Sequence, residues 1–211
     1  MKPSSSNPRD YLPPASKPLV LVLSGPSGAG KDAVLNCMKS RHLPLAFIVT
    51  STTRPQRSGE VDNVHYHFVS RQDFRCLLER HELLEHAAVY GHFYGVPRQP
   101  VREALAQGKD VIIKVDVQGA MTIKKKLPQA VLVFLMPPSI DELAQRLKQR
   151  NTESAGDLEL RLNIARAELK KLGLFDYLVT SYEDQVERAA NDIEAIITAE
   201  KRRIKPREYR L

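Results

Sequence analysis

Residues 19–23 read LVLVL, an apolar run with no polar alternation, and similar candidates follow at 45–49, 111–115 and 131–136. Runs of this length and texture suit parallel strands covered on both faces. Residues 177–179 suggest a short fifth strand. Between the runs the apolar positions recur at helical spacing. Ala33, Val34, Cys37 and Met38 mark a helix after the first strand, and 101–107 another that Gly108 ends. Helical patterns also cover 139–150 and 158–172. In the closing helix Val186, Ala189, Ala190, Ile193, Ile196 and Ile197 fall on one stripe. From 61 to 96 the texture changes to short alternating pieces around a helix near 71–80, as in a small mixed lobe. The pattern therefore predicts an α/β fold of three layers, a parallel sheet between helices. Its core would comprise 18–50 and 98–204, with an inserted mixed α+β lobe at 51–97. Residues 1–17, rich in Pro and Ser, read as a disordered leader.

Composition changes this picture little. The 42% hydrophobic and 27% charged fractions are those of an ordinary globular domain. The net charge of +7 sits at the ends: residues 201–211 carry six Lys/Arg against one acid, and 19–200 is balanced with 23 of each sign. The tail at 205–211 is therefore expected to be a solvated basic end, not a nucleic-acid arm. Cys37 and Cys76 show no metal or redox spacing and read as reduced, partly buried thiols. The N-terminus lacks the apolar run of a signal peptide, and no stretch approaches the ~20 apolar residues of a membrane span. The expectation is a cytoplasmic protein with no nucleic-acid or membrane partner.

Candidate chemistry starts at SGPSGAGKDA, residues 24–33. Gly25-x4-Gly30-Lys31 follows a predicted strand and opens a predicted helix, the context that a phosphate-binding loop requires. Gly25, Pro26, Ser27, Gly28, Ala29 and Gly30 would aim backbone N–H groups at phosphate oxygens, and Lys31 would reach the β and γ phosphates of ATP. Asp32 stands where a hydroxyl residue usually holds magnesium. A carboxylate is also a hard oxygen ligand, so Asp32 is the candidate Mg²⁺ residue.

Four later pieces suggest an acceptor site: TSTTRPQRSGE (50–60), HYHF (65–68), ELLEHAAVYGHFYG (82–95) and KVDVQGA (114–120). Arg54 and Arg57 lie on a loop that Pro55 keeps from becoming helix, and two planar guanidiniums suit a phosphate. Tyr66 and Tyr94 offer hydroxyls to the same group. Glu85 occupies an otherwise apolar stretch, where an unpaired carboxylate is costly, so it needs a donor. The edge of guanine presents two adjacent N–H groups, and adenine cannot present that pair. In DELAQRLKQRNTESAGDLELRL (141–162), Arg146 and Arg150 share a helix face, and Arg161 opens the next helix.

Together these segments resemble guanylate kinase, a P-loop nucleoside monophosphate kinase family, in order and spacing from about residue 19 to 201. The resemblance implies transfer of the ATP γ-phosphoryl group to GMP, with Mg²⁺ as cofactor and ATP and GMP (with dGMP) as small-molecule partners. It places Thr50 and Glu85 near the base, Arg54, Arg57, Tyr66 and Tyr94 around the monophosphate, and Asp116 near the metal or acceptor. It makes 51–97 the GMP-binding lobe and about 146–161 a helical lid, whose Arg146, Arg150 and Arg161 act with Lys31 as catalytic cations. Three positions depart from the family pattern: Asp32 replaces Ser or Thr, Lys114 replaces an acid, and VTSYED (179–184) replaces a Val-Asn-Asp segment. Two other functions remain open. One is a ribose 1,5-bisphosphate kinase, which can carry the same GKD but lacks the complete guanine-site set. The other is a non-catalytic guanylate-kinase-like binding domain, in which the phosphate loop is typically degraded.

Overall fold

The computed structural model describes residues 16–89, 91–149 and 155–209. Five strands, β1 (Val20–Ser24), β2 (Leu45–Ile48), β7 (Asp110–Lys114), β8 (Val131–Met136) and β9 (Tyr177–Thr180), form an all-parallel sheet in the order β2-β7-β1-β8-β9. Alternation along β1 assigns its two faces. Leu19, Leu21 and Leu23 pack into the cluster holding helices α1 (Lys31–Ser40) and α7 (Val186–Lys201). Val20 and Val22 face the cluster beneath α3 (Arg98–Ala106) and α4 (Val117–Lys126). All five β1 residues are fully buried. This is why the strand carries no polar alternation.

The inserted segment forms a second, mixed sheet in the order β4-β3-β6-β5, from β3 (Ser51–Thr52), β4 (His67–Phe68), β5 (Leu83–Val89) and β6 (His92–Pro97). Helix α2 (Arg71–Glu79) packs on it through Phe74, which stacks on Phe93. Ser70 caps α2 by accepting from the Asp73 amide, which explains its sharp start. Helices α5 (Ile140–Gln149) and α6 (Ala155–Leu169) follow β8, and Leu143, Leu147 and Ala165 join them.

Several expectations change, among them the place of Arg161, which lies inside α6 and does not open it. Helix α4 had no predicted counterpart, because Gly119 and the run Lys124–Lys126 mask its buried Val117, Ala120 and Ile123. Helix α3 begins three residues early, at Arg98. The basic tail, as far as 209, is docked at two residues while Lys205 and Glu208 stay exposed: Arg207 donates to Glu200 through Nε and Nη2 at 2.8 and 2.7 Å, and Tyr209 packs against the sheet cluster. Both cysteines are free thiols, but of the two only Cys37 is partly buried as expected; Cys76 is exposed, on the outer side of α2. Among the described residues no helix is long and apolar enough to cross a membrane.

Candidate active site

The carboxyl ends of β1 and β7 open into a cleft of about 450 Å³ between the parallel sheet and the inserted lobe. Ligands gather at this end of such sheets. One wall is the loop between β1 and α1. Gly25 has φ +138°, and a Cβ there would stand 2.0 Å from the Leu135 carbonyl oxygen, so only glycine lets β1 turn so close to β8. Gly30 caps α1 at φ 87°, leaving the first amides of the helix without a side-chain acceptor. Lys31 Nζ donates to the carbonyls of Gly25 and Pro26 at 2.6 and 2.9 Å. Burial lowers its pKa to about 8, and Lys114 adds to the fall against the pull of Glu168 and Asp32.

The opposite wall comes from the inserted lobe. The Arg54 guanidinium lies over the rings of Tyr66 and Phe68, 5.4 and 5.7 Å from their centroids. Its Nη2 donates to both Glu60 oxygens at 2.7 and 3.0 Å. Burial works against the charged guanidinium, but the hydrogen bonds from Arg54 to Glu60 more than restore it, so its pKa is raised. The Arg57 amide donates to the same carboxylate at 2.8 Å. Tyr66 packs edge-on against Tyr94, with ring centroids 6.0 Å apart.

At the inner end of the cleft stands Glu85, 2% exposed. Among the described residues its buried Oε1 has no hydrogen-bond partner. Burial raises its pKa to about 8, helped by the Asp116 charge and opposed by Lys126. Asp116 caps α4 by accepting from the Gly119 amide at 2.7 Å. A Cβ on Gly119 would lie 2.9 Å from Glu85 Oε1, so this glycine makes the room that Glu85 occupies. Thr50, also buried, lines the cleft and donates weakly to the Lys114 carbonyl at 3.4 Å.

Helix α6 supplies the third wall. Arg161, Ile164 and Glu168 fall at helical spacing on one face and all line the cleft. Arg161 Nη1 is 3.4 Å from Ser27 Oγ. Burial raises the pKa of Glu168, and the Lys31 charge opposes that rise.

A family model described as guanylate kinase matches residues 16–200. The guanylate kinase of Carboxydothermus hydrogenoformans is 43% identical over 195 residues, covering 92% of this chain and 95% of the relative. The chain belongs to the guanylate kinase family. Guanylate kinase 2, chloroplastic/mitochondrial, of Oryza sativa is 42% identical over 93% of this chain and 69% of its own. The crystal structure of guanylate kinase from Anaplasma phagocytophilum superposes with a TM-score of 0.74 at 31% identity, covering 89% of this chain and 88% of that one. The family consists of ATP:GMP phosphotransferases, so the chain is an enzyme of that class.

The guanylate kinase fold brings most of the sequence candidates to one cleft. Gly25, Ser27, Gly28, Ala29, Gly30, Lys31 and Asp32 line it beside Thr50, Arg54, Arg57, Tyr66, Glu85, Tyr94, Asp116 and Arg161. Pro26 contributes its carbonyl to Lys31. Arg146 is placed differently. It does not line the cleft but donates to Ser181 O at 2.7 Å, to Ser181 Oγ at 3.3 Å and to Glu142. Arg150 lies outside the described residues. Three lining residues, Glu60, Lys114 and Glu168, had no role assignable from sequence. Glu60 and Lys114 stood inside recognisable motifs without a partner in view, and Glu168 is one acid among several in a helix.

Phosphotransferases of this kind generally use Mg²⁺. Among the described residues no cluster of three or more His, Cys, Asp or Glu could hold a metal alone. Magnesium commonly takes one or two carboxylates and completes its shell with substrate phosphates and water. Asp32, 65% exposed at the start of α1, has the donor chemistry for such a site.

Proposed function

We propose that this cleft performs the family reaction, ATP + GMP to ADP + GDP, with ATP phosphates on residues 25–31 and GMP against the inserted lobe. The observation that carries the acceptor assignment is Glu85: a buried carboxyl with an unpartnered oxygen, facing a cleft whose other end is a phosphate loop. The N1–H and 2-amino group of guanine supply the donors that it lacks, and dGMP presents the same edge. Arg54, Arg57, Tyr66 and Tyr94 would take the monophosphate. Arg54 is already stacked and hydrogen-bonded, so less side-chain freedom is lost when the phosphate arrives.

The acceptor is an anionic phosphate oxygen, so the reaction requires no general base. Catalysis is alignment and neutralisation of charge on the passing phosphoryl group. Lys31 would exchange its two carbonyl acceptors for phosphate oxygens, and Arg161 would approach from α6. Asp32 would hold the magnesium ion, which neutralises and orients the triphosphate when bound. We also assign the enzyme to the cytoplasm. A coupled ATP assay across GMP, dGMP, AMP, UMP and ribose 1,5-bisphosphate tests the reading. GMP and dGMP should turn over at least ~10³-fold better in kcat/KM than AMP, since a site built to hydrogen-bond strongly rejects a base lacking the groups. Preference for ribose 1,5-bisphosphate would overturn the acceptor assignment. No turnover of any acceptor would overturn the assignment of the reaction to this cleft.

A further inference from the structure

Lys114 and Asp32, two departures from the family pattern 82 residues apart, meet as an ion pair of 2.5 Å. Lys114 ends β7 in register with Leu23, two residues before the phosphate loop. Its Nζ is also 3.2 Å from Tyr66 Oη and 4.5 Å from the centroid of that ring. The ammonium therefore stands where the donor loop meets the acceptor lobe. We propose that Lys114 is a direct ligand of the acceptor phosphate, joining the donor-side Asp32 to the acceptor-side Tyr66. This rests on the GMP reading of the cleft given above.

The two partners are unequally solvated. The Lys114 side chain is 14% exposed and that of Asp32 65%. A hydrated carboxylate gains little from an ion pair, whereas a largely dehydrated ammonium is costly to place. Stability alone does not account for a lysine held there. The ammonium has three hydrogens to donate, and two acceptors are in place among the described residues, Asp32 Oδ1 and Tyr66 Oη. A phosphate against Tyr66 would take the third. With Arg54 over one face of Tyr66 and Lys114 against the same ring, the acceptor phosphate would meet two cations fixed by one aromatic side chain.

The experiment measures GMP and guanosine binding by calorimetry, without ATP, to the wild-type protein and to Lys114→Gln and Lys114→Arg. Melting temperatures confirm that each variant is folded. A lost charge-assisted hydrogen bond predicts at least a ~10-fold rise in the GMP Kd for Lys114→Gln. Guanosine, which has no phosphate, should bind wild type and Lys114→Gln alike, and Lys114→Arg should recover most of the GMP affinity. An unchanged GMP Kd in Lys114→Gln would overturn the proposal, as would a guanosine loss equal to the GMP loss. Wild-type protein that binds no GMP would instead sink the acceptor reading on which the proposal stands.

Discussion

Glu85 is fully enclosed, and its pKa of about 8 follows from that burial first and from Asp116 second. At pH 7 the carboxyl of the free enzyme is therefore mostly protonated, whereas two guanine N–H donors require the carboxylate. Binding of GMP should expel close to one proton at pH 7. The GMP affinity should then rise about tenfold per pH unit up to about pH 8 and level off above it. Calorimetry in buffers of different ionisation enthalpy reads the proton count directly, and a count of zero would contradict the assignment. Stability of the free enzyme has the opposite slope. The native state holds a proton that the unfolded chain releases near the ordinary carboxyl pKa, so stability falls as pH rises from there to about 8. Glu85→Gln should flatten that slope while costing on the order of 10⁴-fold in kcat/KM for GMP. At this scale the sequence spoke where one residue contradicts its surroundings, as a carboxylate among Leu83, Leu84, Ala87 and Ala88 does. It marked Lys114 and Asp32 as departures without pairing them, because Asp32 arrives from another strand-helix unit, and it was silent at Glu168, which is set apart by its burial on α6.

Two elements, the β1–α1 loop and helix α6, divide the chemistry, and variants should separate their roles. The loop is fixed by backbone. Gly25→Ala would drive a Cβ into the Leu135 carbonyl, at a φ that other residues rarely adopt. It should part β1 from β8 and lower the melting temperature steeply, whatever ligand is present. Helix α6 acts through side chains. Arg161→Ala should leave the fold and the GMP Kd nearly unchanged and reduce kcat by about 10³-fold, the low end of what a phosphoryl-transfer arginine supplies. A normal kcat measured by stopped-flow or steady-state assay would remove Arg161 from the machinery. The central strands buried on both faces were legible, because a short unbroken apolar run between turn residues suits the middle of a sheet, although the same texture at 45–48 belongs to the half-buried edge strand β2. Their order in the sheet was not, since runs of similar composition do not say which neighbours pair. Helix α4 escaped notice because Gly119, the residue that gives Glu85 its space, breaks the helical stripe.

Across the whole molecule part of the basic C-terminal end proved to be structural. Lys201 Nζ donates to both Asp110 oxygens at 2.9 and 2.8 Å, and Asp110 also accepts from the Leu19 amide, which ties the end of α7 to the amino ends of β1 and β7. Glu200, 3% exposed, takes Arg207 on both oxygens and the Tyr177 hydroxyl at 2.9 Å. Charge counting along the chain saw six cations near the terminus but not that Lys201, Arg203 and Arg207 meet two buried acids, Asp110 and Glu200. The hydrogen bonds from Arg207 lower the Glu200 pKa most, burial opposes them, and Tyr177 assists. A depressed carboxyl contributes stability that is fully present above its unfolded pKa and is lost as pH falls through the folded value. Arg207→Ala leaves that carboxylate buried with Tyr177 and Arg203 as its remaining partners, a cost of about 3 kcal/mol at neutral pH. For a chain of this length that is a fall of roughly 6–12 °C in melting temperature. The same substitution should cost progressively less as pH falls below the ordinary carboxyl value, because the stability that the pair contributes is lost between that value and the depressed folded one. Because the tail docks at the amino ends of the strands and the cleft opens at their carboxyl ends, kcat for GMP at 25 °C should stay within twofold of wild type. A loss of melting temperature that does not shrink at all as pH is lowered from 7 to the acid limit of the folded state would show that Arg207 acts by packing and not by its pair with Glu200.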